Sequence, residues 1–106
     1  MEVFGFSGFI WDEANRNKCR KHGVSLAEIE YVLAHSATLI APGTKHLNTE
    51  PRFLAIGLTQ AGRYTFVVFT PRQSADGTRL LPISARYMHR KEIIKYEQEI
   101  ARIQNR

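Results

Sequence analysis

The chain reads as an α+β protein: an antiparallel sheet of about four strands, with two helices before it and one after it. Three observations lead there. Helix-start and helix-stop residues bracket two segments in the first third of the sequence. From Arg52 onward the apolar residues take the period of strands, in runs separated by Gly-containing turns. Near the C-terminus, Ile93, Tyr96, Ile100 and Ile103 return to helical spacing.

The elements follow in order. Phe4 to Trp11 alternates loosely and predicts a first, short strand. Asp12 can accept from the free amides of a first helical turn, and that helix runs to about His22, where Gly23 supplies the left-handed stop. Ser25 with Glu28 forms the capping box of a second helix, whose stripe is Ile29, Val32 and Leu33 and which fades near His35. A short strand, Ala37 to Ala41, is broken by Pro42-Gly43. Phe53 to Thr59 and Tyr64 to Thr70 flank Gln60-Ala61-Gly62 and read as a hairpin. The second of these is apolar on both faces, which predicts a central strand covered on each side. Residues 73–78 form a polar turn, and Leu80 to Ala85 make the last strand. Pro82 cannot donate to a ladder there, so it demands an edge or a bulge. A helix from about His89 to Ile103 closes the chain.

A length of 106 residues without an internal linker predicts one domain over 1–106. The net charge of +5 makes a polyanion a reasonable partner. Cys19 is the only cysteine, which excludes an internal disulfide and a Cys-rich metal site and fits a reducing compartment. No run approaches the ~18 apolar residues of a membrane span, and the first residues lack the character of a signal peptide. A cytoplasmic location with no membrane association is the expectation.

Arginines mark the ends of the strand-like runs. Arg52 opens one and Arg63 the next, with Arg72 just past its end; Arg79 opens a third, and Arg86 closes it ahead of His89, Arg90 and Lys91. A guanidinium fixed on the rim of a sheet is well placed for a bidentate phosphate contact. The bland alternative is a set of solubilising gatekeepers. Beside their turns, Arg63 and Arg79 suit that alternative. Arg52, Arg72 and Arg86 carry the functional reading; Arg86 follows Ser84-Ala85 directly before a helix, where solvation alone would be served as well by lysine.

The loop from Thr44 to Arg52 groups His46, Glu50, Lys45 and Arg52. An imidazole has an intrinsic pKa near ~6.5, suited to moving a proton. Glu50 could do the same if burial raised its pKa. The same loop also reads as solvated, with Glu50 merely pairing with Arg52, and both readings stay open. Lys21-His22 suits the negative end of the first helix. The four histidines are scattered without ligand spacing, so no metal is expected. Cys19 reads as a packing residue, and Trp11 and the strand aromatics as core.

This inventory suits RNA. Its 2′-hydroxyl can attack the adjacent phosphate if a base removes the proton and cations stabilise the charge on the phosphoryl oxygens. Arg72 and Arg86 are the charge stabilisers, with Arg52 or Lys21 as helpers. Glu50 or His46 is the base, and His22 or His46 protonates the leaving oxygen. DNA lacks the hydroxyl and would be bound without cleavage. One geometric difficulty follows from a simple meander, which puts Arg86 roughly 20–25 Å from Arg52 and Arg72 at ~3.4 Å per residue. A bulge at Pro82, or an inward-pointing Arg86, would shorten that distance.

Five motifs in order carry a resemblance: Phe9-Ile10-Trp11-Asp12; Lys21-His22-Gly23-Val24-Ser25; His46 through Glu50 with Arg52; Ala55-Ile56-Gly57 with Gly62-Arg63; and Ile83-Ser84-Ala85-Arg86 with Glu92 and Tyr96. Over about residues 9–97 the chain resembles the BrnT toxin family. That resemblance implies a bacterial type II toxin–antitoxin ribonuclease of RelE-like fold that cleaves RNA without a metal or other cofactor. It further implies a ribbon-helix-helix antitoxin, and operator DNA bound through the complex. The family's Lys-His-Gly falls on Lys21, His22 and Gly23, its acidic-x-Arg on Glu50 and Arg52, its next basic position on Arg72, and its Ser-x-Arg on Ser84 and Arg86. Two positions depart: Asn17 is the nearest counterpart of an asparagine on the first helix, and Pro82 replaces an aliphatic residue. The expected catalytic set is Glu50, Arg52, Arg72, Arg86 and His46, with Lys21, His22, Arg63 and Arg90 as RNA contacts. The competing reading is a non-catalytic module that binds nucleic acid or docks an antitoxin.

Overall fold

The computed structural model describes residues 5–35, 39–42 and 50–104. Its elements are β1 (Gly8–Phe9), α1 (Glu13–Arg20), α2 (Leu26–Ala34), β2 (Leu39–Pro42), β3 (Phe53–Leu58), β4 (Tyr64–Ser74), β5 (Gly77–Tyr87) and α3 (Arg90–Gln104). The class is α+β, as expected. Among the described residues no helix is long and apolar enough to cross a membrane.

Both helix starts follow from local chemistry. At α1, Asn15 N–H donates to Asp12 Oδ1 (2.8 Å) while Asp12 N–H donates to Asn15 Oδ1 (2.7 Å). This is a reciprocal capping box built with asparagine. Ser25 and Glu28 make the corresponding box at α2. Between them Gly23 adopts φ 90°, the left-handed region open to glycine.

Among the described residues the sheet has five strands, where about four were expected, in the order β1-β5-β4-β3-β2. β1 runs parallel to β5, and the other neighbours are antiparallel. Of the expected strand Phe4 to Trp11, Phe4 lies outside the described residues, and among the described ones only Gly8 and Phe9 are paired in a strand. Trp11 instead turns to α2, donating its indole N–H to Glu30 (2.8 Å). The largest difference lies in the β4–β5 hairpin. Ser74 pairs with Gly77, so the turn shrinks to residues 75–76, and Gly77 at φ 120° closes it. Arg72 and Arg79 therefore lie inside their strands, directly opposite each other, rather than at strand ends.

Strand alternation divides the sheet into two faces. One face supplies Ala55, Val67, Phe69, Leu80 and Ala85 to a core completed by Cys19, Val24, Ile29, Val32 and Leu33 of the helical half. Phe69 is fully buried there, and such a ring is worth about 3–5 kcal/mol against alanine. Burial also pushes the Cys19 thiol up to about 11. β4 is central, as its apolar character predicts, but cover on its second face is partial. α3 has no buried residue. It meets the sheet through Tyr96, packed edge-on against Tyr64 at 5.5 Å, and through Glu97, which accepts from the Tyr64 hydroxyl.

Pro82 sits where the sequence requires it, at a bulge. Val68 pairs with Ser84 but Phe69 pairs with Pro82, leaving Ile83 as the extra residue. The Pro82 carbonyl points away from β4 and accepts from Asn15 Nδ2 (2.9 Å). A strand residue's N–H and C=O point the same way, so the missing N–H of Pro82 faces α1 and costs the β4–β5 ladder nothing.

Candidate active site

A one-residue bulge reverses the facing of every later side chain on its strand. Leu80 and Pro82 are buried on the helix side. Beyond Ile83, Ser84 and Arg86 turn to the opposite, open face, although all four are even-numbered. There they join two cross-strand rows: Leu54, Val68 and Ser84 in one, and Ile56, Phe66 and Arg86 in the next.

Arg86 is held by three contacts. Its Nη1 and Nη2 each donate to a Glu92 carboxylate oxygen at 2.8 Å, Nη1 also reaches the Tyr87 carbonyl, and the guanidinium carbon lies 4.6 Å from the Phe66 ring centroid. Glu92 accepts in addition from the His89 backbone N–H (2.8 Å), which ties the start of α3 to the same carboxylate. Chiefly through Arg86, and next through that amide, its pKa is held at about 2. Phe66 and Glu92 thus fix the orientation of the guanidinium, with Glu92 occupying its Nη1–Nη2 fork.

Arg86 opens into a pocket of about 400 Å³ whose lining is His22, Leu54, Phe66, Val68, Ser84, Ala85 and Arg86. His22 reaches it because α1 packs along β5, where Asn15 Nδ2 binds the Pro82 carbonyl. The turn after α1 then delivers the imidazole beside Ser84 and Arg86. An imidazole, a hydroxyl and a guanidinium rim one apolar floor.

A second cationic cluster stands further along the same face. Arg72 is six residues beyond Phe66 on β4, so its row lies roughly 20 Å from that of Arg86 at ~3.4 Å per residue. The two arginines do not converge in one pocket. Arg72 is gripped by Glu50 through Nε–Oε2 (2.8 Å) and Nη2–Oε1 (3.1 Å). The Arg72 hydrogen bonds hold the Glu50 carboxyl below its usual range, with the charges of Arg72 and Arg52 adding to them. The condition for Glu50 as a base, a raised pKa, is therefore not met. Arg52 stands next to this pair, and the Nε atoms of Arg52 and Arg79 are buried with no acceptor among the described residues.

The remaining sequence candidates are dispersed. Arg63 lies 3.4 Å from the Tyr87 ring centroid. The Tyr87 hydroxyl donates to Glu28 (2.7 Å) on the helix-covered side, so Arg63 and Arg86 occupy opposite faces. Lys21 and Arg90 are exposed. His46 lies outside the described residues. Among the described residues no three His, Cys, Asp or Glu side chains are grouped so as to hold a metal ion.

Three contributors escaped residue-level reasoning from the sequence. Glu92 entered only through the family motifs, with no role of its own, and Phe66 read as core. Asn15, rather than Asn17, is the asparagine that α1 uses: it is buried and bonds the Ile10 and Pro82 carbonyls, while Asn17 is exposed. The D-x-x-N spacing at the helix start was the available signal for Asn15. For Phe66 it was the alternation of β4.

The family model described as the ribonuclease toxin, BrnT, of type II toxin–antitoxin systems matches residues 11–92. The chain belongs to the BrnT family. Its family is therefore one of ribonuclease toxins, for which RNA is the substrate and an antitoxin the partner. The match to BrnT spans the whole pocket, from His22 to Arg86, and reaches Glu92, while most of α3 lies beyond it. Comparison with curated proteins found no match.

Proposed function

We propose that this BrnT protein is a metal-independent endoribonuclease toxin that cleaves RNA by attack of a 2′-hydroxyl on the adjacent phosphate. The observation that carries the reading is the pocket joining Arg86, Ser84 and His22 on the open face of the sheet. Arg86 stabilises the charge that grows on the phosphoryl oxygens, and Ser84 donates to one of them. His22 is the proton carrier at this pocket, and His46 is the second candidate for that role. The bond that breaks is from phosphorus to the 5′-oxygen of the next nucleotide. The products are a 2′,3′-cyclic phosphate and a 5′-hydroxyl, with the 2′-proton taken by the base and one returned to the leaving oxygen. Arg52, Arg72 and Arg79 hold phosphates further along the strand, with Glu50 orienting Arg72, and Lys21 and Arg90 add long-range attraction. The neutralising partner is a ribbon-helix-helix antitoxin, and the pair binds its own operator DNA.

Incubation with RNA in excess EDTA, beside an Arg86→Ala variant, tests this. Cleavage by the parent and its loss in the variant are expected. Equal activity in both, or activity that vanishes with EDTA, overturns the mechanism.

A second reading, a non-catalytic module that docks an acidic antitoxin segment, draws on one observation. Arg86 and Arg72 are each already paired bidentately with a carboxylate. That reading expects salt-dependent binding with no cleavage product.

A further inference from the structure

We propose that the apolar floor of the Arg86 pocket, made by Leu54, Phe66 and Val68, seats an unstacked nucleobase of the nucleotide whose phosphate Arg86 holds. The proposal rests on the ribonuclease reading above and adds a site for the base itself.

The floor is unusual for a sheet face. Leu54 and Val68 are adjacent across β3 and β4, and Phe66 lies two residues from Val68 on the same side. None of the three is buried, although each is large and apolar. α1 and α2 pack on the other face, and α3 meets this one at the Tyr64 end and, through Glu92, at Arg86 on the pocket rim. An apolar surface left accessible beside a fixed guanidinium suits a ligand with one flat face and one anionic group.

The rim narrows the choice. Arg86 donates, the Ser84 hydroxyl both donates and accepts, and the His22 imidazole does one or both. A purely aliphatic occupant would offer the Ser84 hydroxyl and the His22 imidazole no partner, and Arg86 none beyond Glu92 and the Tyr87 carbonyl. A nucleobase offers a flat face for the floor and a polar edge for the rim. Its own phosphate reaches Arg86. The volume of about 400 Å³ lies within the range of small-ligand sites. Phe66 then serves twice, carrying Arg86 on its ring and continuing the platform toward Val68.

Base seating has a structural consequence. A base stacked and paired in a duplex cannot lie on the floor, so the site selects single-stranded RNA with a splayed nucleotide. Protein-side stacking is sequence-tolerant, and Ser84 and His22 are the groups placed to read the base edge.

The test uses the whole protein and two single-stranded oligoribonucleotides. Both carry one 2′-deoxy sugar at the cleavage position to block reaction, and in one of them that same sugar lacks its base. Titrations measure both dissociation constants for the parent, Leu54→Asn and Phe66→Leu. The parent should bind the abasic strand about 10- to 100-fold more weakly, the cost of one lost stack. Both variants should lose most of that difference while still binding. Equal binding of the two strands by a parent that cleaves unmodified RNA overturns the base seat and leaves the ribonuclease reading standing. A parent that neither binds nor cleaves RNA removes the reading beneath it. If the variants fail to fold, the comparison of the two strands on the parent decides alone.

Discussion

Arg86 and Glu92 are joined by two parallel hydrogen bonds, Nη1 to Oε1 and Nη2 to Oε2, each 2.8 Å long. One carboxylate orients the guanidinium of the pocket and, by accepting from the His89 N–H, also anchors the start of α3. Because the pair is about one-third exposed, its value lies in geometry more than in stability.

Replacing Glu92 by alanine should therefore cost function more than folding. The expected loss is about tenfold in kcat/KM for RNA cleavage, equivalent to ~1.4 kcal/mol, with a stability loss of about 1 kcal/mol or less. Cleavage kinetics beside urea unfolding separate the two effects. Unchanged kcat/KM in a folded variant would show that Glu92 does not orient Arg86.

The same carboxylate makes α3 sensitive to acid. Its folded pKa of about 2 lies below the ~4.3 of a free glutamate. The stabilisation is therefore fully present above the unfolded value and lost as pH falls through the folded one. Between about pH 4 and pH 2 the start of α3 should loosen and the Tyr64–Tyr96 contact should weaken. Near-ultraviolet circular dichroism should report this step in the parent, and Glu92→Gln should lack it.

Deletion of Ile83 tests the bulge. Removing the extra residue makes Phe69–Pro82 and Val68–Ser84 consecutive pairs of a regular ladder and keeps Ser84 and Arg86 on the open face. With the guanidinium still outside the core, the cost should be about 1–3 kcal/mol, from the lost Ile83 side chain and the changed local twist of the strand. Denaturant unfolding should show the loss, whereas Ile83→Val, which keeps the residue count, should remain close to the parent.

Asn15 ties three elements together. Its side chain accepts from Asp12 N–H and donates to the carbonyls of Ile10 and Pro82. Asn15→Ala should destabilise the protein by about 2–3 kcal/mol, since buried carbonyls lose their donor. Asn15→Asp should be worse, because it sets an anion against those same carbonyls. Chemical denaturation with an unchanged m-value is the measurement.

The sequence was most legible where the cause is local. Asp12 and Ser25 start helices through their own side chains, and Gly23 and Gly62 take positive φ where a helix stop and a turn need it. The apolar run from Tyr64 marked the central strand. Pro82 announced a bulge because its missing N–H is a property of the residue itself. The hairpin was less legible: Arg72 and Arg79 read as flanking residues because polarity suggests a loop, whereas an exposed ladder end tolerates both.

By itself the sequence determined the α+β class, the order of the main elements, the basic character and the motifs of the BrnT family. It also named Arg86, Ser84 and His22 as residues of interest. Only the tertiary structure decided that these three meet over Leu54, Phe66 and Val68, and that Arg72 stands apart with Glu50. The physical reason is the register shift between Val68 and Phe69. One extra residue sends Arg86 to the open face, and that facing depends on a pairing between strands rather than on any residue alone.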